Sequence, residues 1–166
     1  MLRFSKNRET DVSNGLWKIQ LLIDNMEIDF KKYYDPSEAI CTDESLILFR
    51  GCIMFRQYLK QKCHKYGIKL FKLCCESGYT YAFRVYVGKN LDKENTTPTN
   101  VVMSLCRDVF NKGHTLYTDN YTYTSLDLAY KSLHNNTHLV GTLRSNRRGN
   151  SNEVMPKKLK RREIIA

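Results

Sequence analysis

The sequence lacks any apolar run approaching the ~20 residues that a membrane-spanning helix needs, which argues against a helical anchor within these 166 residues. Its N-terminal stretch MLRFSKNRETDVSNG is polar and charged, with no apolar core of a secretory signal. The expectation is an intracellular chain with reduced thiols. There is no CxxC pair, and the 11-residue spacing of Cys41, Cys52, Cys63 and Cys74 matches no ligand geometry, so zinc is not expected. His134 and His138 stand four apart without a third ligand nearby and read as a surface pair. No internal repeat is present.

Acidic residues are also scarce, with 17 Asp and Glu against 27 Lys and Arg, a formal net charge of +10. Each cation set on a phosphate releases a condensed counterion, so this balance favours a polyanionic partner, with nucleic acid the leading candidate. A composition of 42% hydrophobic and 27% charged residues is that of a folded globular chain. The length suits one core with appendages.

Leu16, Ile19, Ile23, Met26 and Phe30 recur at spacings of three and four behind Ser13, which predicts an amphipathic helix over 14–31 capped by Ser13. Pro36 then turns the chain away from helix. A short apolar strand is expected over 38–43, ending on Asp43. GIKLFKLCC and YTYAFRVYVGK read as two further strands joined by ESG. In the second, Tyr79, Tyr81, Phe83, Val85 and Val87 alternate with Thr80, Ala82, Arg84 and Tyr86. Thr97 and Pro98 suit the cap and first position of a helix that carries Val101, Val102, Leu105 and Val109. HTLYT is a strand delivering Asp119, Ser125 caps a helix using Leu126, Ala129 and Leu133, and THLVGTLR supplies a fifth strand. From Arg144 onward eight Lys or Arg stand against Glu153 and Glu163, about six of the net positive charges, in a basic tail or linker. The expected organisation is an N-terminal helical region over 1–36, a core over 37–144 and the tail over 145–166.

Asp43 and Asp119 are the candidate catalytic and metal-ligating residues. Adjacent parallel strands can bring such carboxylates close together, an arrangement that Mg²⁺ or Mn²⁺ would stabilise because both prefer oxygen ligands. An Asp before a turn also satisfies backbone donors, so either acid alone carries little weight. Arg50, Arg56, Lys60, Lys62, His64, Lys65, Lys69 and Lys72, interleaved with Phe55, Tyr58 and Tyr66, have the mixture of cations and flat rings that suits a nucleic-acid backbone. A solvated loop whose rings pack on the core is the competing reading.

The blocks CTDESLILFRG, QYLKQKCHKYGIKLFKLCCESGYTYAFRVYVGK, LYTDNYTYTS and HLVGTLRSNRRG, in unbroken order from about residue 10 to 155, resemble piggyBac-type transposases and the transposase-derived proteins of that group. The resemblance implies an α/β, ribonuclease H-like core of three antiparallel strands followed by two parallel ones. It also implies divalent-metal phosphoryl transfer with Mg²⁺ or Mn²⁺, DNA as partner with TTAA as target, and a nuclear location. Asp43 matches the family's first catalytic aspartate and Asp119 its second. Arg50, Lys65, Lys69, Arg144, Arg147 and Arg148 are the expected DNA contacts. The third aspartate lies in the family beyond the block matched by GTLRSNRRG. Asp127, Glu153 and Glu163, the acids after Asp119, do not match its context. The expectation is therefore a catalytically incomplete span, in which a homodimer would depend on family regions that these residues do not match. A non-catalytic DNA-binding or interaction protein, and a transposon relic, remain the rival readings. Leu48 stands where the family has proline, Cys52 where it has a second arginine, and DNYTYTS is one residue longer than the usual pattern.

Overall fold

Thr97 and Pro98 start a helix as their chemistry predicts. The Thr97 hydroxyl accepts from the Asn100 N–H at 3.3 Å, and Pro98 opens α2 (Pro98–Leu105) where a missing N–H costs nothing. Ser125 does the same for α3 (Leu126–His134), accepting from the Leu128 N–H at 3.1 Å. The computed structural model describes residues 15–60, 65–88, 97–119, 124–144 and 149–150. The remaining elements are α1 (Gln20–Tyr33), β1 (Ala39–Leu48), β2 (Gln57–Tyr58), β3 (Tyr66–Cys75), β4 (Thr80–Val85), β5 (Thr115–Thr118) and β6 (His138–Gly141).

The six strands form one mixed sheet. β3 lies antiparallel to β1 on one edge and to both β2 and β4 on the other, β2 meeting its first residues and β4 its later ones. Beyond β1 the sheet turns parallel, with β1 to β5 and β5 to β6. Three antiparallel strands followed by two parallel ones is the arrangement expected from the sequence, with the two-residue β2 added.

One face of the sheet carries the core. Ile40, Leu73 and Leu116 pack there with Val102 of α2 and Leu128 of α3, and none of the five is more than 1% exposed. Burial of each such side chain stabilises by about 1.5–3 kcal/mol. The opposite face of β4 is covered by α1, whose Phe30 ring lies 6.0 Å from both Tyr79 and Phe83. Tyr34 stacks on Tyr79 at 4.6 Å, and Lys31 pairs with Asp108 at 2.6 Å. Burial raises the Glu27 carboxyl above its ordinary range, Lys31 opposing the shift.

Four expectations change. β1 does not stop at Asp43 but runs on to Leu48, because β3 continues to pair with it after β5 has ended. α1 begins at Gln20 with Ile19 as its cap residue and no side-chain cap, while Ser13 lies outside the described residues. In β4, Tyr81, Ala82 and Phe83 are all buried in succession. A register shift between Leu73 and Cys74 breaks the alternation, and helices cover both faces there. In α3 the inward residues are Leu128 and Ser132, and Leu133 is 64% exposed. Both phasings satisfy helical spacing, and a buried serine disguises the true one.

Ser132 and Thr42 bury hydroxyls without a hydrogen-bond partner among the described residues. Thr42→Val removes that unsatisfied group while keeping the shape, so a stability gain of about 1 kcal/mol is expected in denaturant titration.

Candidate functional site

β1 and β5 run parallel in the register Ala39 to Thr115, Ile40 to Leu116, Cys41 to Tyr117 and Thr42 to Thr118. The next position on each chain is an aspartate, Asp43 on β1 and Asp119 just past β5. Burial alternates in step along the two segments. Ile40 and Leu116 are buried, as are Thr42 and Thr118, and both aspartates are exposed. The two acids thus occupy successive positions on hydrogen-bonded neighbours, and such strands lie about 4.8 Å apart. The Glu44 N–H donates to Asp43 Oδ1 at 2.7 Å.

Asp119 is held from behind by threonines that the sequence reading did not single out. Thr118 and Thr124 share a hydroxyl hydrogen bond of 2.9 Å, and the Thr124 hydroxyl donates to the Asp119 carbonyl at 3.2 Å. β6 closes against this clasp. A Cβ on Gly141 would lie 2.7 Å from Thr124 Oγ1 and 2.8 Å from both Thr118 O and Oγ1. Gly141→Ala is therefore expected to cost about 1–3 kcal/mol, seen as a lowered thermal midpoint. The glycine in GTLR signals this only once the parallel neighbour is known.

Lys72 is the Cα partner of Asp43 across β1 and β3, so a cation stands on the strand beside the first acid. Lys69, expected to contact phosphate, points elsewhere. It pairs with Glu44 at 2.8 Å, half-buried, and its ammonium lies 4.8 Å from the Phe71 ring and 5.9 Å from Tyr86. Strand alternation puts Glu44 and Lys69 on the face opposite Asp43.

Arg50 and Lys65 are both exposed near the far end of β1, on the order of 17 Å along the strand from Asp43. Arg56 braces this end by donating to the carbonyls of Arg50 at 3.2 Å and Gly51 at 3.0 Å, with its guanidinium 5.2 Å over the Tyr66 ring. The interleaved aromatics divide: Phe55 is buried, whereas Tyr58 and Tyr66 are about half exposed with rings 4.9 Å apart. Arg144 is partly buried, and its carbonyl accepts from the Asn150 amide at 2.8 Å. Arg147 and Arg148, like Lys62 and His64, lie outside the described residues.

Two exposed carboxylates supply hard oxygen donors, which fits Mg²⁺ or Mn²⁺, ions that retain several waters. Among the described residues no group of three or more His, Cys, Asp or Glu stands together.

A family model described as transposase IS4 matches residues 1–166, the full chain. The chain belongs to this transposase family. Its relatives are of the piggyBac type, as the sequence blocks implied. Human piggyBac transposable element-derived protein 5 is 25% identical over 150 residues, which cover 83% of this chain and 28% of that protein. A cryo-EM structure of a piggyBac transposase synaptic complex with hairpin DNA superposes with a TM-score of 0.80 at 28% identity, over 90% of this chain and 32% of that one. The transposase-related sheet is thus ribonuclease H-like, and the chain spans about a third of the length of these relatives. Among the described residues no helix is long and apolar enough to cross a membrane.

Proposed function

We propose that this transposase-family domain handles DNA in the nucleus and contributes two carboxylates, Asp43 and Asp119, to a divalent-metal site for phosphoryl transfer. The reading is supported by the register of β1 and β5, whose last pair, Thr42 and Thr118, immediately precedes the two acids. A bound Mg²⁺ or Mn²⁺ would supply charge neutralisation at a phosphate and activation of the attacking oxygen. The protein's own part is to hold the carboxylates. The Glu44 N–H orients Asp43, the Thr118–Thr124 clasp fixes the Asp119 backbone, and Lys72 adds positive charge beside the pair.

Arg50 and Lys65 are proposed to contact DNA phosphates, with Arg144, Arg147 and Arg148 extending the basic surface and TTAA as the target sequence. Lys69 is not assigned to this surface, since its charge is already matched by Glu44. With two carboxylates in this span, the 166 residues alone are expected to bind DNA without cutting it.

Fluorescence anisotropy with a TTAA-containing duplex tests the partner. Affinity is expected to fall steeply as salt rises, and the combined Arg50→Ala and Lys65→Ala variant is expected to reduce the log–log slope by about two, one per phosphate contact. Binding that is absent, or a slope that the double variant leaves unchanged, contradicts this assignment. A scrambled duplex bound equally well removes TTAA from it.

A further inference from the structure

Cys41 and Cys74 are direct Cα partners across the antiparallel pairing of β1 and β3. Directly opposed residues project from the same face of the sheet. Here it is the face that carries Asp43 and Lys72, two positions further along. The Phe49 N–H donates to the Tyr66 carbonyl at 3.4 Å, which identifies 49 and 66 as a hydrogen-bonded pair. Such pairs recur every second residue, so 41 and 74 are another, and Cα atoms in these pairs are about 5.5 Å apart. Disulfides span Cα separations of about 4.4–6.8 Å and Cβ separations of about 3.5–4.5 Å. Opposed Cβ atoms in such a pair lie about 4.5–5.5 Å apart, so closing the bond draws the two strands together and leaves it strained and readily reduced.

Both thiols are free and partly accessible. The neighbouring alternatives are not arranged in this way. Cys75 is buried on the opposite face, with Ile40 as its partner, and Cys106 is wholly buried. Cys52 is exposed in the segment after β1. The Cys74 sulfur lies 3.9 Å from the Thr80 hydroxyl, a weak contact to give up.

We propose that Cys41 and Cys74 form a reversible dithiol–disulfide site, oxidised by a small disulfide of the glutathione type, that ties β1 to β3 beside Asp43. One cysteine thiolate attacks a sulfur of the small disulfide, breaks its S–S bond and releases one thiolate. The second cysteine thiolate then attacks the protein sulfur of the mixed disulfide, forms the Cys41–Cys74 bond and releases the other thiolate. The two cysteines lose two electrons, the small disulfide gains them, and the two cysteine protons end on the two released thiols.

The test uses the full chain. After incubation with excess glutathione disulfide, alkylation of remaining thiols and proteolysis, mass spectrometry is expected to find the Cys41–Cys74 linked peptide as the main cross-link. Dithiothreitol should abolish it. In Cys74→Ser, Cys41 should accumulate instead as a glutathione adduct under the same conditions. The inference is overturned if Cys41 and Cys74 in the unaltered chain stay free, end as separate glutathione adducts, or link mainly to Cys52 or Cys63.

Discussion

Leu73→Ala should lower the stability of this domain by about 2–5 kcal/mol, the range for truncating a fully enclosed core side chain. Leu73 sits near the end of β3, 0% exposed, with Thr42 of β1 and Ala82 of β4 as its cross-strand partners. Packed with it are residues of α2, α3 and β5. The cavity left by alanine would be bounded by sheet on one side and helices on the other, so little collapse can relieve it. Because a domain of this size is stable by only about 5–15 kcal/mol, the loss is a large share of the total. Chemical denaturation should show a lower midpoint with an unchanged slope. A shift below about 0.5 kcal/mol would mean that the core is not built around this strand.

Asp119→Asn should weaken binding of Mn²⁺ by tenfold or more. Loss of a residue that merely orients a metal ligand already costs about 10–100-fold in affinity, and a direct carboxylate ligand should cost no less. Asparagine keeps the size of the side chain and leaves the backbone free to keep its bond from Thr124, so the folded state should be preserved. Unchanged thermal melting alongside lost metal binding is the expected pair of results. If both fall together, Asp119 acts on the fold and not on an ion.

The parts of this architecture that were legible in the sequence are those fixed by local chemistry. Thr97 with Pro98 and Ser125 mark helix starts through side-chain bonds to nearby N–H groups, so α2 and α3 could be placed without knowing their neighbours. The order of the strands followed from alternation and turns, and both aspartates stood out because each closes a short apolar run. What escaped depends on partners distant in the chain. β1 runs past Asp43 because β3 stays beside it, and β2 forms only against the first residues of β3. Lys69 looked like a free cation because nothing in its neighbourhood along the chain reveals that Glu44 lies across the sheet. The inward face of α3 does not show in its spacing, because Ser132, a polar residue, is fully buried where Leu133 is not. The clasp of Thr118, Thr124 and Gly141 joins residues of three segments and becomes visible only when β5 and β6 are set side by side.

The claim on which the functional account turns is that Asp43 and Asp119 act on one ion. Electron paramagnetic resonance titration of Mn²⁺ into the unaltered chain, Asp43→Asn, Asp119→Asn and the double variant tests it most directly. Two ligands of one shared site should give strongly non-additive losses, each single variant losing most of the binding and the double variant little more. Mg²⁺ should compete for the same signal. Losses that simply add, or binding that survives in both single variants, would contradict a common site and with it the proposed chemistry of this domain.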